Sequence, residues 1–276
     1  IADTEDALMF LMYFIIALVN AVLTFKIREA EKKARDKEEK ENTIKLYNTL
    51  LNSLSHELRT PISTIIGAVD TLKENKKKLS LNNQIELLTQ IDTASIRLNR
   101  QVENLLNMSR LETGMLKLNL DWCDTNELIF SVLQKLSFAN EKHKIIFEAN
   151  ENLPLFKLDS GLIKQVLHNI IYNAILYTPE NSIIKINASY ESENCVITIA
   201  DNGYGFPENQ IQFVFDKFYR LPHTKTGGTG LGLSIAKGFI ETHKGKIILE
   251  NIKTGGAKFT IIIPSETSFM NNLKHD

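Results

Sequence analysis

The chain has 276 residues, enough for one or two compact domains with cores of their own. Lysine and arginine number 32 against 33 aspartates and glutamates, a formal net charge of −1, so no overall positive field exists to hold a polyanion and no nucleic-acid partner is expected. Two cysteines, Cys123 and Cys195, are too few and too far apart for a disulfide framework or a metal knuckle; they are expected as packing residues in a reducing compartment, with no structural zinc.

Beginning at Ile1 rather than Met, the chain reads as part of a longer one. Residues 7–25 (ALMFLMYFIIALVNAVLTF) are uncharged and strongly apolar. A helix of that length, rising about 1.5 Å per residue, nearly matches a hydrocarbon core of roughly 30 Å, which predicts a transmembrane helix over 1–25. Asp3, Glu5 and Asp6 precede the run and Lys26, Arg28, Lys32, Lys33 and Arg35 follow it, so the positive-inside rule directs everything after Phe25 to the cytoplasm. A cleaved signal peptide would carry its positive charge in front. The alternative is a buried core helix, against which stands the single polar interruption, Asn20.

From Lys26 to Glu41 the composition turns to alternating charge (KIREAEKKARDKEEKE) at helix-neighbour spacings, predicting a solvated linker helix over 26–45. Beyond it Tyr47, Leu51, Leu54, Leu58, Ile62 and Ile65 recur in steps of three and four, followed by a polar loop, 73–80. A second amphipathic run from Leu81 to Met108 is stopped by Gly114. Two helices alone bury little, so the hairpin over 46–114 is expected to pair with a second copy of itself as a four-helix bundle.

From about Leu118 the periodicity changes to short apolar or alternating runs near 145, 183, 195, 246 and 258, which predict strands, separated by helices near 126–138, 160–175 and 231–242. The fold class is thus α plus α/β: a transmembrane helix, a helical hairpin, and a mixed α/β sandwich domain over 115–268 with helices on one face of one sheet, then a tail over 269–276.

The chemistry-bearing residues begin in the first hairpin helix, at Ser55-His56-Glu57-Leu58-Arg59-Thr60-Pro61. Leu54 and Leu58 lie on the apolar seam, and at 100° per residue His56 falls opposite their midpoint, facing solvent. An exposed histidine is ordinarily a surface residue; Glu57 beside it can accept an imidazole proton as the other ring nitrogen attacks an electrophile. Pro61 removes a backbone N–H and crowds the preceding turn, bending the helix locally.

Farther on, Asn169 and Asn173 stand four apart on one helical face, where amide oxygens suit a hydrated Mg²⁺ and the phosphates it bridges; the bland reading is surface decoration. Asp201 ends an apolar strand just before Gly203 and Gly205, placing a carboxylate at a strand tip where the chain turns, although ordinary turns use the same residues. Gly228, Gly230 and Gly232 lead into a helix, whose N-terminal N–H groups suit phosphate. No Lys-Ser or Lys-Thr follows, so this is no P-loop. Nor does the run open an N-terminal βαβ unit, so it is no dinucleotide fingerprint. Lys217 and Arg220 can neutralise a γ-phosphate, or be solvated surface charges.

These segments, in this order, resemble the boxes of the sensor histidine kinases of two-component signalling. SHELRTP is similar to the phosphoacceptor box, Asn169–Ala174 to the asparagine box, Asp201–Gly205 to the first glycine box, Phe215–Arg220 to the phenylalanine box, and Gly228–Leu233 to the second glycine box. The resemblance covers roughly 46–264. It implies ATP and Mg²⁺ as cofactors, His56 as phosphoacceptor, Glu57 as general base, and Thr60 as the residue that orients a water for dephosphorylating a response regulator. It further implies nucleotide contacts at Asn169, Asn173 (with Mg²⁺), Tyr177, Asp201, Gly203, Gly205, Lys217, Tyr219, Arg220, Gly228, Gly230, Leu231 and Gly232, under a lid from Pro207 to about Gly227. A homodimer through the hairpin, a cognate response regulator, and a place in the bacterial inner membrane with the catalytic region in the cytoplasm follow in the same way.

One position departs from the pattern: Leu176 stands where the asparagine box commonly has a lysine, and Lys217, Arg220 or Lys225 is expected to take over that phosphate contact. The opening residues and NLLNMSRLETGMLKLNLDW are similar to the Kdp-type subfamily, which implies potassium as stimulus. Two rivals compete with the kinase reading. One is an ATPase of the gyrase and chaperone group, which lacks a phosphoacceptor hairpin; the other is a pseudokinase, or phosphatase-only dimer, motivated by Leu176.

Overall fold

A computed structural model describes residues 4–74, 79–136, 142–221 and 229–269; in the first helix, side chains are described for 9–35, 37, 41, 55 and from Glu57 onward. The chain divides into two units, residues 1–56 and 57–276.

The first unit is helical: α1 begins at Thr4 and, as an element, runs Thr4–Glu74. Its segment Met9–Arg35 contains a stretch of mean hydropathy 2.1 and is long and apolar enough to cross a membrane. None of it is buried, and Phe10, Phe14 and Phe25 stand in the open, so it is not a core helix of this unit. The Thr24 hydroxyl donates to the Asn20 carbonyl at 2.7 Å, satisfying a polar group inside the apolar run. In the charged stretch Glu29 and Lys33 pair at 2.7 Å, one helical turn apart, as the alternating charge predicts.

The second unit opens with the rest of α1, which carries Pro61 internally without ending there. Helix α2 (Leu81–Glu112) starts at Ser80, whose hydroxyl accepts from the Asn83 amide, and stops before Gly114, which takes φ +63°. Along the hairpin Ile62, Leu81, Ile85, Leu88 and Val102 remain exposed in the single chain, the apolar face that pairing would cover.

The remainder is a two-layer α/β domain. Five strands, β2 (Lys144–Phe147), β4 (Ile183–Glu191), β5 (Asn194–Asp201), β6 (Lys246–Asn251) and β7 (Ala257–Pro264), order as β2-β4-β5-β7-β6, with only β2 and β4 parallel. Along β7 alternate residues are buried, so Phe259, Ile261 and Ile263 face inward. They share one core with the apolar faces of α3 (Thr125–Leu136), α4 (Ser160–Tyr177) and α5 (Gly232–Thr242).

The expectation of one sheet is corrected. A second antiparallel sheet, order β1-β3-β8, is built from Asp121–Cys123, Leu155–Leu158 and Thr267–Ser268. Strands of two to four residues carry too little alternation to announce themselves. Phe269, the first residue of the assigned tail, packs edge-on against Tyr190; the rest of that tail lies outside the described residues.

Both cysteines are buried free thiols. Burial pushes Cys195 up to about 12 against a weaker pull from the Thr125 hydroxyl 3.7 Å away, and burial also raises Cys123. Helix α2 is packed onto this domain: Met108 belongs to its core, partly buried Leu111 packs against it, and Leu111 presses on α5 where a Cβ on Gly238 would stand 2.8 Å from it.

Candidate active site

Helix α4 is started by Asp159, whose Oδ1 accepts from the Leu162 amide, and is held to the sheet by a fully buried run of isoleucine, leucine and valine. That packing fixes the face carrying Asn169 and Asn173. The Asn169 amide group donates to the Gly232 carbonyl at 3.0 Å, which ties α4 to the start of α5 and leaves its Oδ1 as an acceptor.

Strand β5 delivers Asp201 to the same region. Its Oδ1 accepts from the amides of Gly203 (2.9 Å) and Ala257 (3.3 Å), which fixes the carboxylate plane and keeps Oδ2 for a ligand. Gly203 is required by closeness: a Cβ there would lie 2.7 Å from Thr178 Cγ2. Gly205 has φ +69°, and the loop around it is clamped because Asn251 both accepts from the Phe206 amide (2.8 Å) and donates to its carbonyl (2.7 Å).

These elements enclose a cavity of about 560 Å³, within the range of small-ligand sites. Asn169, Asn173, Tyr177 and Asp201 line it. So do Gly205, Tyr219, Arg220, Gly230 and Gly232, and Leu176 supplies part of its wall. The Tyr219 hydroxyl is anchored on Gln210 Oε1 at 2.9 Å. Gly230, at φ +68°, is pinned against Phe218, whose amide donates to the Gly230 carbonyl.

Three expected contacts are placed elsewhere. Lys217 lies off the cavity lining, paired with Glu112 at the end of α2. Leu231 is fully buried in the core, and its carbonyl accepts the Ser234 hydroxyl and the Ile235 amide. Gly203 shapes the turn behind Asp201 and is absent from the lining. Gly228, Lys225 and most of the lid's second half, 222–228, lie outside the described residues.

The cavity also contains residues that local sequence patterns did not single out. Arg97, Arg100, Gln101 and Asn104, all from α2, form one side of it. The Arg100 guanidinium sits 4.1 Å above the centroid of Tyr172, between the two asparagines in sequence, and Tyr172 runs parallel to His168 with 5.7 Å between ring centroids. Burial, then Arg100 and Lys135, hold the His168 imidazole below its usual range, with Glu103 acting weakly in opposition.

On α1, Glu57 is half-buried and accepts from Arg97 (3.1 Å) and Gln101 (3.4 Å) through one oxygen, Oε2. Thr60 is exposed one helical turn from His56, and its carbonyl accepts the Thr64 hydroxyl. His56 belongs to α1; its side chain, whose solvent-facing direction was expected, lies outside the described residues. Gly256 was missed too: at φ +97° it packs against the Asp201 backbone. The Gly255-Gly256 pair before a strand was its only sequence signal.

The family profile described as "His Kinase A (phospho-acceptor) domain" matches residues 47–114. That described as "Histidine kinase-, DNA gyrase B-, and HSP90-like ATPase" matches 158–267, which implies ATP binding. Sensor protein KdpD of Clostridium acetobutylicum is 34% identical over 226 residues, 80% of this chain and 25% of that protein. KdpD of Escherichia coli is 32% identical over 256 residues, 92% of this chain and 28% of that protein. The chain therefore spans about a quarter of the length of these relatives. Among solved structures, Acinetobacter baumannii histidine kinase AdeS superposes with a TM-score of 0.58 at 28% identity, over 77% of this chain and 98% of that one. With a phosphoacceptor domain and an ATPase domain joined in that order, the chain belongs to the sensor histidine kinases of two-component signalling.

Proposed function

We propose that the chain is the transmitter part of a membrane-linked sensor kinase that autophosphorylates on His56 and passes the phosphoryl group to an aspartate of a response regulator. The observation that carries this reading is the shared cavity: residues of the phosphoacceptor domain, Arg97 to Asn104, and of the ATPase domain, Asn169 to Gly232, line one space.

Asp201 Oδ2 accepts from an adenine amino group, with Tyr177 against the base or ribose, and the helix start at Gly232 faces phosphate. Asn173, with Asn169 behind it, offers the neutral oxygen that suits Mg²⁺ alongside phosphate and water ligands; no cluster of His, Cys, Asp or Glu able to hold a metal exists among the described residues. Mg²⁺, when bound, neutralises charge on the phosphates. An imidazole nitrogen of His56 attacks the γ-phosphorus, the bond to the β,γ-bridging oxygen breaks, ADP leaves, and the imidazole proton passes to Glu57. The ion pair with Arg97 keeps that carboxylate oriented.

A response-regulator partner is supported by the solved complex of histidine kinase ThkA with response regulator protein TrrA, 28% identical with a TM-score of 0.57 over 85% of this chain and 66% of that one. Pairing of two chains through the exposed hairpin face, insertion of residues 7–25 in a bacterial inner membrane, and a potassium stimulus complete the reading; the last is supported by the KdpD relatives alone. Thr60 positions a water for regulator dephosphorylation, and Thr60→Ala is expected to slow that step while autophosphorylation persists.

The deciding experiment is incubation with γ-³²P-ATP and Mg²⁺, wild type beside His56→Gln. Acid-labile, base-stable label on wild type alone is expected. Label on both proteins overturns His56 as acceptor; label on neither, with nucleotide binding retained, favours the pseudokinase.

A further inference from the structure

The position where Leu176 replaces a cation lies on the cavity wall; of the three residues expected to compensate for it, Lys217 is off the lining and paired with Glu112, Arg220 is on the lining, and Lys225 lies outside the described residues. The described basic residues that do line the cavity are Arg97, Arg100 and Arg220. Arg97 is committed to Glu57 at 3.1 Å. Arg100 pairs with no carboxylate among the described residues; its contact is the Tyr172 ring, 4.1 Å from the guanidinium carbon.

We propose that Arg100, from the phosphoacceptor hairpin rather than the ATPase domain, is a triphosphate-binding cation that makes up for the missing lysine at position 176. The inference rests on the nucleotide reading of the cavity. A guanidinium over an aromatic face is held by its charge, and because all its N–H donors lie in one plane it keeps donors to offer a phosphate. Tyr172 therefore preorganises the group beside the two asparagines, so that less side-chain entropy is lost when phosphate arrives. Burial first, and then Arg100 itself, disfavour the charged form of neighbouring His168.

The test measures affinity of the whole chain for three probes, AMP-PNP, ADP and adenosine, in wild type, Arg100→Ala, and Arg100→Ala combined with Leu176→Lys. The expected result is a loss in Arg100→Ala of about tenfold for AMP-PNP, as for one charge-assisted contact. The loss is smaller for ADP and absent for adenosine, and the added lysine recovers much of it. Arg100→Gln, which keeps the planar shape without the charge, reproduces the pattern if Arg100→Ala does not fold. Equal loss for all three probes marks a merely structural residue and overturns the proposal. Tighter binding of AMP-PNP overturns it as well, since Arg100 would then be an obstruction. Unchanged affinity in the variants beside a binding wild type defeats this inference alone, whereas a wild type that binds none of the probes defeats the nucleotide reading with it.

Discussion

Gly256 lies so close to Asp201 that a Cβ on it would stand 1.8 Å from the Asp201 carbonyl oxygen. The contact is backbone on backbone and φ is +97°, so no side-chain rearrangement relieves it. Gly256→Ala is expected to cost about 3 kcal/mol or more and to displace the carboxylate at the cavity. Thermal unfolding would show a lowered Tm with weak rescue by AMP-PNP. Gly232→Ala is the comparison: its Cβ would meet Asn169 at an ordinary 3.8 Å, so stability should stay within about 1 kcal/mol of wild type.

Glu57→Gln keeps the size of the side chain and removes the proton acceptor. Autophosphorylation should slow about 10²-fold or more, the usual contribution of a general base, while AMP-PNP affinity holds. Rapid-quench labelling beside a binding titration separates the two; an unslowed rate would exclude Glu57 as the base.

His168 reports whether α2 is seated. Its folded pKa is depressed, first by burial and then by Arg100 and Lys135, so the folded state binds fewer protons than the unfolded chain. Its effect on stability is therefore absent above the unfolded pKa of about 6.5 and grows as a penalty as pH falls below it. His168→Gln should flatten stability between about pH 7.5 and 5.5 relative to wild type. In Arg100→Gln the imidazole should titrate higher, seen in its ¹H–¹⁵N spectra; an unmoved midpoint would mean the guanidinium does not face it.

Cys195, pushed up to about 12, is thiolate only to roughly one part in ten thousand at pH 8, and it is buried besides. Alkylation of the native protein should be slow and limited by opening of the domain. AMP-PNP at about a hundred times its Kd should slow it roughly a hundredfold if opening is global. Mass spectrometry after timed iodoacetamide exposure measures this, and fast labelling indifferent to nucleotide would refute it.

The legible parts of the fold were those with a repeating physical signal. α5 was expected near 231–242 and occupies Gly232–Thr242, because apolar residues at helical spacing need one buried face. β1, β3 and β8 had no such repeat and are held by pairing with one another. At the site, residues within a local box, such as Asn169 with Asn173, were readable from spacing. The direction of Lys217, toward Glu112 over a hundred residues away in sequence, and the arrival of Arg100 over Tyr172 are consequences of how α2 packs, which no local pattern records.

The cavity has one wall on α2 and the other on α4, α5 and the Asp201 loop. A ligand that closes on both walls makes hairpin seating and ligand affinity two readings of a single coupling free energy, and such coupling is reciprocal. For any such ligand, an input that turns or slides α2 changes its affinity, and by the same factor its binding changes how readily α2 leaves its seat. Two ligands that differ in how they touch the α2 wall then differ in how firmly they hold the helix, so the seat of α2 would carry a record of which of them is bound.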